Sequence, residues 1–363
     1  FESLKTMGML FQKNALFDSM TNAENIAFPV QETGRTRGGR PKFLVKGVRT
    51  SGPCSFLSVI EPPASGGSRE YFFFIDGAEP AIIDTGVAVS PSGGMAPALQ
   101  RLGRRIEDVR WILLTHGHID HIGGAHALWE LTGRKAKVVI HEADAPFLRA
   151  RRTHVEEYLA ARGKYIHDPD GEARITAACE AAISGEMEPH RVVRHGDELS
   201  LGPDLTISVH GLPGHTAGSV AYVVDGQRDV FVGDAVQIHG AANGFPSYVD
   251  PDAYRASLTH LRDHVKPNRL FLGHEYRSQG AQPSGVELDR EQAAARIQES
   301  LDIEARVRAA TVEPGIDGPE LPKAAHSPFC CIAHQLRYLG DPTLEPSPFF
   351  TTMNGYFGKG YRS

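Results

Sequence analysis

Apolar and polar residues alternate along this chain in two rhythms. Short apolar or alternating runs at 43–48, 56–60, 71–75 and 81–84 are separated by Gly, Pro and Ser clusters, which predicts a meander of strands. Helical spacing follows at 95–102. The apolar strand 110–114 then runs straight into Thr115 and a cluster of histidines. Beyond it the pattern predicts a helix over 124–132, a strand over 137–140 and a largely helical insertion over 143–184, rich in Ala, Arg and Glu and placed to act as a lid. Strand patterns return at 205–210, 220–224, 229–232 and 270–272. Helices are expected at 253–264 and 290–309.

Residues 1–40 end in a Gly/Arg-rich stretch and read as an N-terminal arm. Residues 41–285 read as one catalytic domain, and 286–363 as a helical extension with an aromatic and Gly-rich tail expected to be an arm or disordered. A length of 363 residues with 41% apolar content is enough to bury a full core. No apolar run approaches the roughly 18 residues of a membrane span. A net charge of −6 and a pI near 6.3 give no reason to expect a polyanionic partner. The cluster Arg149, Arg151, Arg152 reads as a solvated helix face. Cys54, Cys179, Cys330 and Cys331 are too few and scattered for a disulfide framework, so a reducing, cytoplasmic setting is expected. The chain opens at Phe1 rather than Met, so a leader or native start is expected to lie outside it.

Histidine changes this picture, with 17 residues in all. In Thr115-His116-Gly117-His118-Ile119-Asp120-His121, four ligand-type side chains follow a strand that fixes their backbone. His116 and His118 are two apart, so in extended chain their imidazoles project to one side and can grip one cation, while Gly117 permits a tight turn. Asp120 and His121 fall where the chain bends toward a helix, which turns them to a second position. The remaining histidines (His126, His141, His154, His167, His190, His195, His210, His260, His264, His326 and His334) read as ordinary surface or core residues.

With this motif the sequence resembles the metallo-β-lactamase superfamily over about residues 43–285. The resemblance implies an α+β fold, a four-layer αββα sandwich with a metal site at one edge, here carrying the helical insertion and the C-terminal extension. It also implies further ligands: His215 in Pro213-Gly214-His215-Thr216, Asp234 in Gly233-Asp234 and His274 in Gly273-His274-Glu275, all present in order. The implied assignment gives His116, His118 and His215 to a first metal and Asp120, His121 and His274 to a second, with Asp234 bridging. Asp84, in Ile83-Asp84-Thr85-Gly86, matches the family's early Asp and is expected to orient a ligand.

An all-His/Asp set suits two divalent cations, zinc first, with iron or manganese as alternatives. The implied chemistry is hydrolysis by a metal-bound hydroxide, with Asp120 passing a proton to the leaving group. Phrases such as Pro-Gly-His-Thr-Ala-Gly-Ser and Gly-His-Glu-Tyr look closest to glyoxalase-II-like and lactonase-like members. The expected substrate is therefore a small-molecule thioester, lactone or other ester, although the family's glutathione-binding basic residues have no evident counterpart. His239 and Tyr248, on the segment after Asp234, are expected to line the pocket as proton or hydrogen-bond donors, with Phe245 beside them. Two competing readings share the motif: a di-iron enzyme acting on O2 or NO, and a phosphodiesterase. Neither a nucleic acid nor a membrane is expected as partner, and a homodimer is the assembly left open.

Overall fold

The computed structural model describes residues 71–160, 167, 169–240, 245–278, 284–311, 332–333, 335–336 and 349–360, and residues 44–48, 55–60, 161–162, 282–283, 330–331, 334 and 348 by backbone alone. The arm expected over 1–40 lies outside the described residues. The alternating runs of the N-terminal half become one sheet whose strands neighbour each other in chain order. These are β1 (Leu44–Val48), β2 (Ser55–Ile60), β3 (Tyr71–Asp76), β4 (Ala81–Ile83), β5 (Trp111–Leu113), β6 (Lys137–His141) and β7 (Arg191–Val193). Pairing is antiparallel as far as β4 and parallel from there to β7.

The second sheet contains β8 (Glu198–Ser200), β9 (Thr206–Gly211), β10 (Val220–Val224), β11 (Asp229–Phe231) and β12 (Arg269–Phe271). After a small ribbon of β13 (Arg277–Ser278) and β14 (Gln282–Pro283), β15 (Glu287–Asp289) adds antiparallel to β12, so this sheet runs past residue 285. The β11–β12 pair alone is parallel within it.

Period-two alternation explains why the sheets stack. Tyr71, Phe73 and Ile75 of β3 point between the sheets, where they meet Val209, Tyr222, Phe231 and Phe271. Phe231 and Phe271 stack at 4.5 Å, with Phe73 edge-on to Phe271 at 5.4 Å. Burying each such side chain stabilises the fold by roughly 1.5–3 kcal/mol. The intervening residues Phe72, Phe74, Ile82, Ile112 and Val138 face outward onto an apolar layer that includes Ala98 and Leu99 of α1 (Ala96–Arg101), Ile122 of α2 (Ile119–Ile122) and Leu128 of α3 (Ala125–Leu131).

The expected insertion holds α4 (Ala145–Arg149), α5 (Arg151–Arg162) and α6 (Gly171–Ala182). Val155, Ile175, Ala178 and Cys179 from α5 and α6 pack on Val87 and Ile119. On the far side, Ala221, Val223, Val230 and Leu270 are covered by α7 (Pro251–His260), α8 (Arg290–Thr311), α9 (Cys330–Gln335) and α10 (Pro348–Gly358). The four layers are therefore α, β, β, α.

The C-terminal tail corrects the expectation of an arm. Phe349, Phe350, Met353, Tyr356 and Phe357 recur at helical spacing, and all are buried against the second sheet's outer layer. Gly355 and Gly358 had concealed that stripe. Gly355 is required by contact: a Cβ there would lie 2.6 Å from the carbonyl oxygen of Val249.

Glu304 of α8 secures this corner. Its fully buried carboxylate takes hydrogen bonds from Arg255 (2.6 Å), Arg308 (2.7 Å) and the Tyr356 hydroxyl (2.8 Å). Removing one partner of a buried charged network leaves the others unpaired, at a cost of about 3–5 kcal/mol when all are buried. Because Arg255 stays half-exposed, Glu304→Ala should lower unfolding free energy by roughly 2–3 kcal/mol in chemical denaturation. An unchanged midpoint would show that apolar packing alone docks α10.

Candidate metal centre

Five loops leave the C-terminal ends of β4, β5, β9, β11 and β12, and they bring Asp84, His116, His118, Asp120, His121, His215, Asp234 and His274 to one edge of the sandwich. The local chain explains each placement. After β5 the chain bends at Thr115 and His116, His118 is extended at φ −71°, ψ 152°, and α2 begins immediately afterwards. The first turn of α2 carries Asp120 and His121 toward His274, while the His121 ring stays 4.1 Å from that of His116. Thr85 fixes that turn by donating both its N–H and its hydroxyl to the His121 carbonyl, each at 2.8 Å.

The donor atoms fall into two groups of three: His116, His118 and His215, and Asp120, His121 and His274. A third combination, His116, His121 and Asp234, joins them. Asp234 Oδ1 lies 3.3 Å from His121 Nε2 and 3.5 Å from His274 Nε2, while Oδ2 faces His215 Nε2 at 3.7 Å. His274 Nε2 also stands 3.4 Å from Asp120 Oδ2 and 3.3 Å from His121 Nε2. Two atoms held about 2.0–2.1 Å from one tetrahedral cation are about 3.3 Å apart, so this is the spacing of ligands around a cation.

A further observation shows that the residues fit metal ions. His116 Nε2, His215 Nε2 and Asp234 Oδ1 are buried without any hydrogen-bond partner. Burying such atoms unsatisfied costs about 1–3 kcal/mol each, and coordination removes that cost.

The opposite ring nitrogens decide which lone pairs are free. Asp84 accepts from Thr115 N–H (2.8 Å), the Thr115 hydroxyl (2.8 Å) and His121 Nδ1 (2.9 Å). With its own proton given to Asp84, the Thr115 oxygen accepts from His116 Nδ1 at 3.1 Å. His215 Nδ1 donates to the Ser247 carbonyl at 2.6 Å. In all three rings these partners engage Nδ1 and leave Nε2 facing the other clustered side chains.

Electrostatics separate the two groups. Burial, then the neighbouring imidazoles, pushes His116 well below the ordinary imidazole value, and burial pushes His118 to about 3. Burial also opposes protonation of His121 and His274, but Asp234 with Asp84 or Asp120 outweighs it and raises both. Burial likewise resists ionisation of Asp120 and Asp234, yet His121 and His274 hold both below the usual carboxylate range. The first group is thus held as neutral imidazoles, whereas the second pairs ionised carboxylates with imidazoles whose protonated form they favour.

The sequence did not reveal two supports. Asp144 is fully buried and takes hydrogen bonds from Gly117 N–H (2.7 Å), Gly218 N–H (2.8 Å) and the Thr216 hydroxyl (2.7 Å), tying the His116/His118 loop to the His215 loop. Its setting before Ala145-Pro146 looks like a helix start, yet its side chain makes no cap. Gln237 accepts the Ser247 N–H at 2.7 Å and donates to the Ser247 carbonyl at 2.9 Å, holding the group that orients His215. Gly273 is fixed by space, since a Cβ there would meet Asp234 Oδ1 at 2.6 Å.

Two expected site residues do not reach the cluster. Tyr248 is fully buried in the C-terminal core, stacked on Tyr254 at 4.3 Å with its hydroxyl 3.1 Å from that of Tyr356. His239 turns to Glu299 of α8, with Nε2 3.2 Å from the carboxylate. Phe245 packs on Phe349 at 5.0 Å. The reason is common to all three: α8 and α10 cover this segment, so its side chains complete a core instead of a pocket. Part of the segment, 241–244, lies outside the described residues.

Residues 66–274, more than half of the length, match the family model of the metallo-beta-lactamase superfamily, and the chain belongs to that superfamily. A hydroxyacylglutathione hydrolase of Methylobacillus flagellatus is 31% identical over 185 residues, covering 51% of this chain and 56% of that protein. One from Cupriavidus metallidurans is 30% identical over 207 residues, covering 55% and 60% respectively. The chain therefore spans less than two thirds of these relatives. The crystal structure of a metallo-beta-lactamase family protein from Thermus thermophilus shares the fold, with a TM-score of 0.58 at 20% identity over 88% of this chain and 94% of that one.

Asp84→Asn keeps the shape of the side chain but withdraws the charge that receives three donors. Zinc retention, read by competition with a chromophoric chelator, should weaken about 10–100-fold. Retention equal to wild type would mean that Asp84 serves the turn and not the ligands.

Proposed function

We propose that the protein hydrolyses an acyl bond of a small molecule, with a thioester as the leading case and lactones or other esters next, using two divalent cations. Zinc is the first choice, with iron or manganese as alternatives. His116, His118 and His215 would hold one cation, Asp120, His121 and His274 the other, and Asp234 would bridge them. The observation that carries this reading is the Asp234 carboxylate, whose two oxygens face different imidazole groups, one of them unpartnered. The names of the two hydroxyacylglutathione hydrolases support the thioester.

When bound, the cation pair acidifies water and polarises the acyl carbonyl. The chain's own residues set where that happens. Asp234 would offset part of the repulsion between two bound cations with its negative charge. Asp84, through Thr115 and directly, keeps His116 and His121 in the binding tautomer. Asp120, held ionised by its imidazole neighbours, is placed to take a proton and return it to the leaving group. His118 is the one imidazole of the first group that is not fully buried, which marks the open side. Half-buried Phe147 of α4 lies directly over Gly117 and offers an apolar wall there, which favours a role for the 143–184 segment in choosing the substrate. A soluble substrate in a reducing cytoplasm belongs to the same reading.

Purified protein should carry about two transition-metal ions per chain and should cleave thioesters or lactones in a panel that also holds a β-lactam and a phosphodiester. Turnover confined to the phosphodiester, or full activity after complete chelation, would overturn the proposal. Asp234→Asn should release at least one ion and lower affinity by more than the 10–100-fold typical of a supporting residue. Asp204→Asn, in the turn before β9, should match wild type in the same metal titration. If the Asp234 variant keeps both ions at unchanged affinity, the carboxylate is not a bridge.

A further inference from the structure

Three histidines that look unrelated in the sequence meet on the opposite, outer side of β9. His210 lies on β9, His195 in the turn between β7 and β8, and His260 at the end of α7. Their ligand atoms all lie within 4.8 Å of one another. His210 Nδ1 and His260 Nε2 are 3.1 Å apart, close to the ligand spacing of a tetrahedral cation. The three rings stand 5.4–5.7 Å apart, centre to centre. None of these residues belongs to the site at the sheet edge.

The surroundings suit a cation. Inner residues of β9, Ile207 and Val209, fill the inter-sheet core, so strand alternation fixes His210 outward toward α7. Gly211 lets the third ring come close: a Cβ there would lie 3.3 Å from that of His195, and its N–H donates to His195 Nδ1 at 3.2 Å. Burial first, then the adjacent rings, pushes His210 and His260 below the ordinary imidazole value, which keeps them unprotonated and able to bind at neutral pH. His260 also lines an open groove of about 970 Å³ between α7 and α8.

We propose that His195, His210 and His260 form a peripheral binding site for a single borderline transition-metal ion, Zn2+ or Cu2+, that clamps α7 to β9. Three imidazoles without a carboxylate select such ions over Mg2+ or Ca2+, which require oxygen donors. Coordination by His195 releases the Gly211 amide, which water then satisfies at the surface. Both clamped elements lead into the His215 loop: β9 runs to it directly, and Ser257 of α7 donates to the Pro213 carbonyl at 2.7 Å.

The test is equilibrium dialysis of the full chain, already loaded at the sheet-edge site, against micromolar free Zn2+. Wild type should bind one more equivalent than His210→Ala or His260→Ala, and His118→Ala should retain that extra equivalent. His195→Gln, in an exposed turn, should weaken the extra binding at least tenfold, and it keeps the test decisive if a substitution beside α7 disturbs packing. With Cu2+ as probe, electron paramagnetic resonance should show hyperfine coupling to several nitrogens in wild type and a changed pattern in all three variants. The same stoichiometry and the same spectrum in wild type and variants would overturn the site, whatever ions the sheet-edge site holds.

Discussion

Asp84 is the group on which the rest of the sheet-edge site depends. It follows β4 in a left-handed backbone conformation, φ 59°, a region that Asp tolerates better than most side chains. That conformation turns its carboxylate away from water and into the sandwich, where it receives the amide and hydroxyl of Thr115 and the ring proton of His121. One acceptor thus sets the protonation pattern of two imidazoles on two different elements, and the backbone that carries them is locked to a neighbouring strand. His116, His121 and His215 are held in place by the partners of their Nδ1 atoms alone.

This arrangement divides the labour between sequence and fold unevenly. The H-x-H-x-D-H run was legible because strand geometry and the start of a helix are local properties, and both follow from a few residues around Thr115. His215, Asp234 and His274 were legible only by resemblance, since nothing local says that three distant turns share one sheet edge. The meander of strands was legible from the apolar runs, but the four-layer sandwich only by resemblance, since a run such as Tyr71 to Ile75 is apolar on both faces and does not say which face meets the other sheet. What escaped has a different character. Asp144 bonds to loops far away in sequence and Gln237 to the backbone of Ser247 and Asp234, roles that leave no periodicity. Short strands such as β7 and β8 are also hard to see, because half of their residues are exposed and polar.

Tyr248 and His239 follow a ligand-bearing turn closely, and adjacency alone suggested a pocket. Their surroundings are set instead by α8 and α10, whose apolar stripes arrive from the far end of the chain. Likewise His195, His210 and His260 each look unremarkable in sequence, and their convergence exists only because a strand, a turn and a helix end pack together.

The loop that carries Ser247 rests on α10: Thr352 donates to the Pro246 carbonyl at 2.8 Å and accepts the Tyr248 N–H at 3.1 Å. Ser247 in turn receives the ring proton of His215. One wall of the site is therefore braced by a helix made about a hundred residues after the loop it supports. During synthesis the strands and most ligands emerge long before that brace, so a nascent chain passes through an interval in which His215 has no fixed tautomer and the site is incomplete. Closure of that wall therefore waits until α10 has been made and has packed beneath the loop.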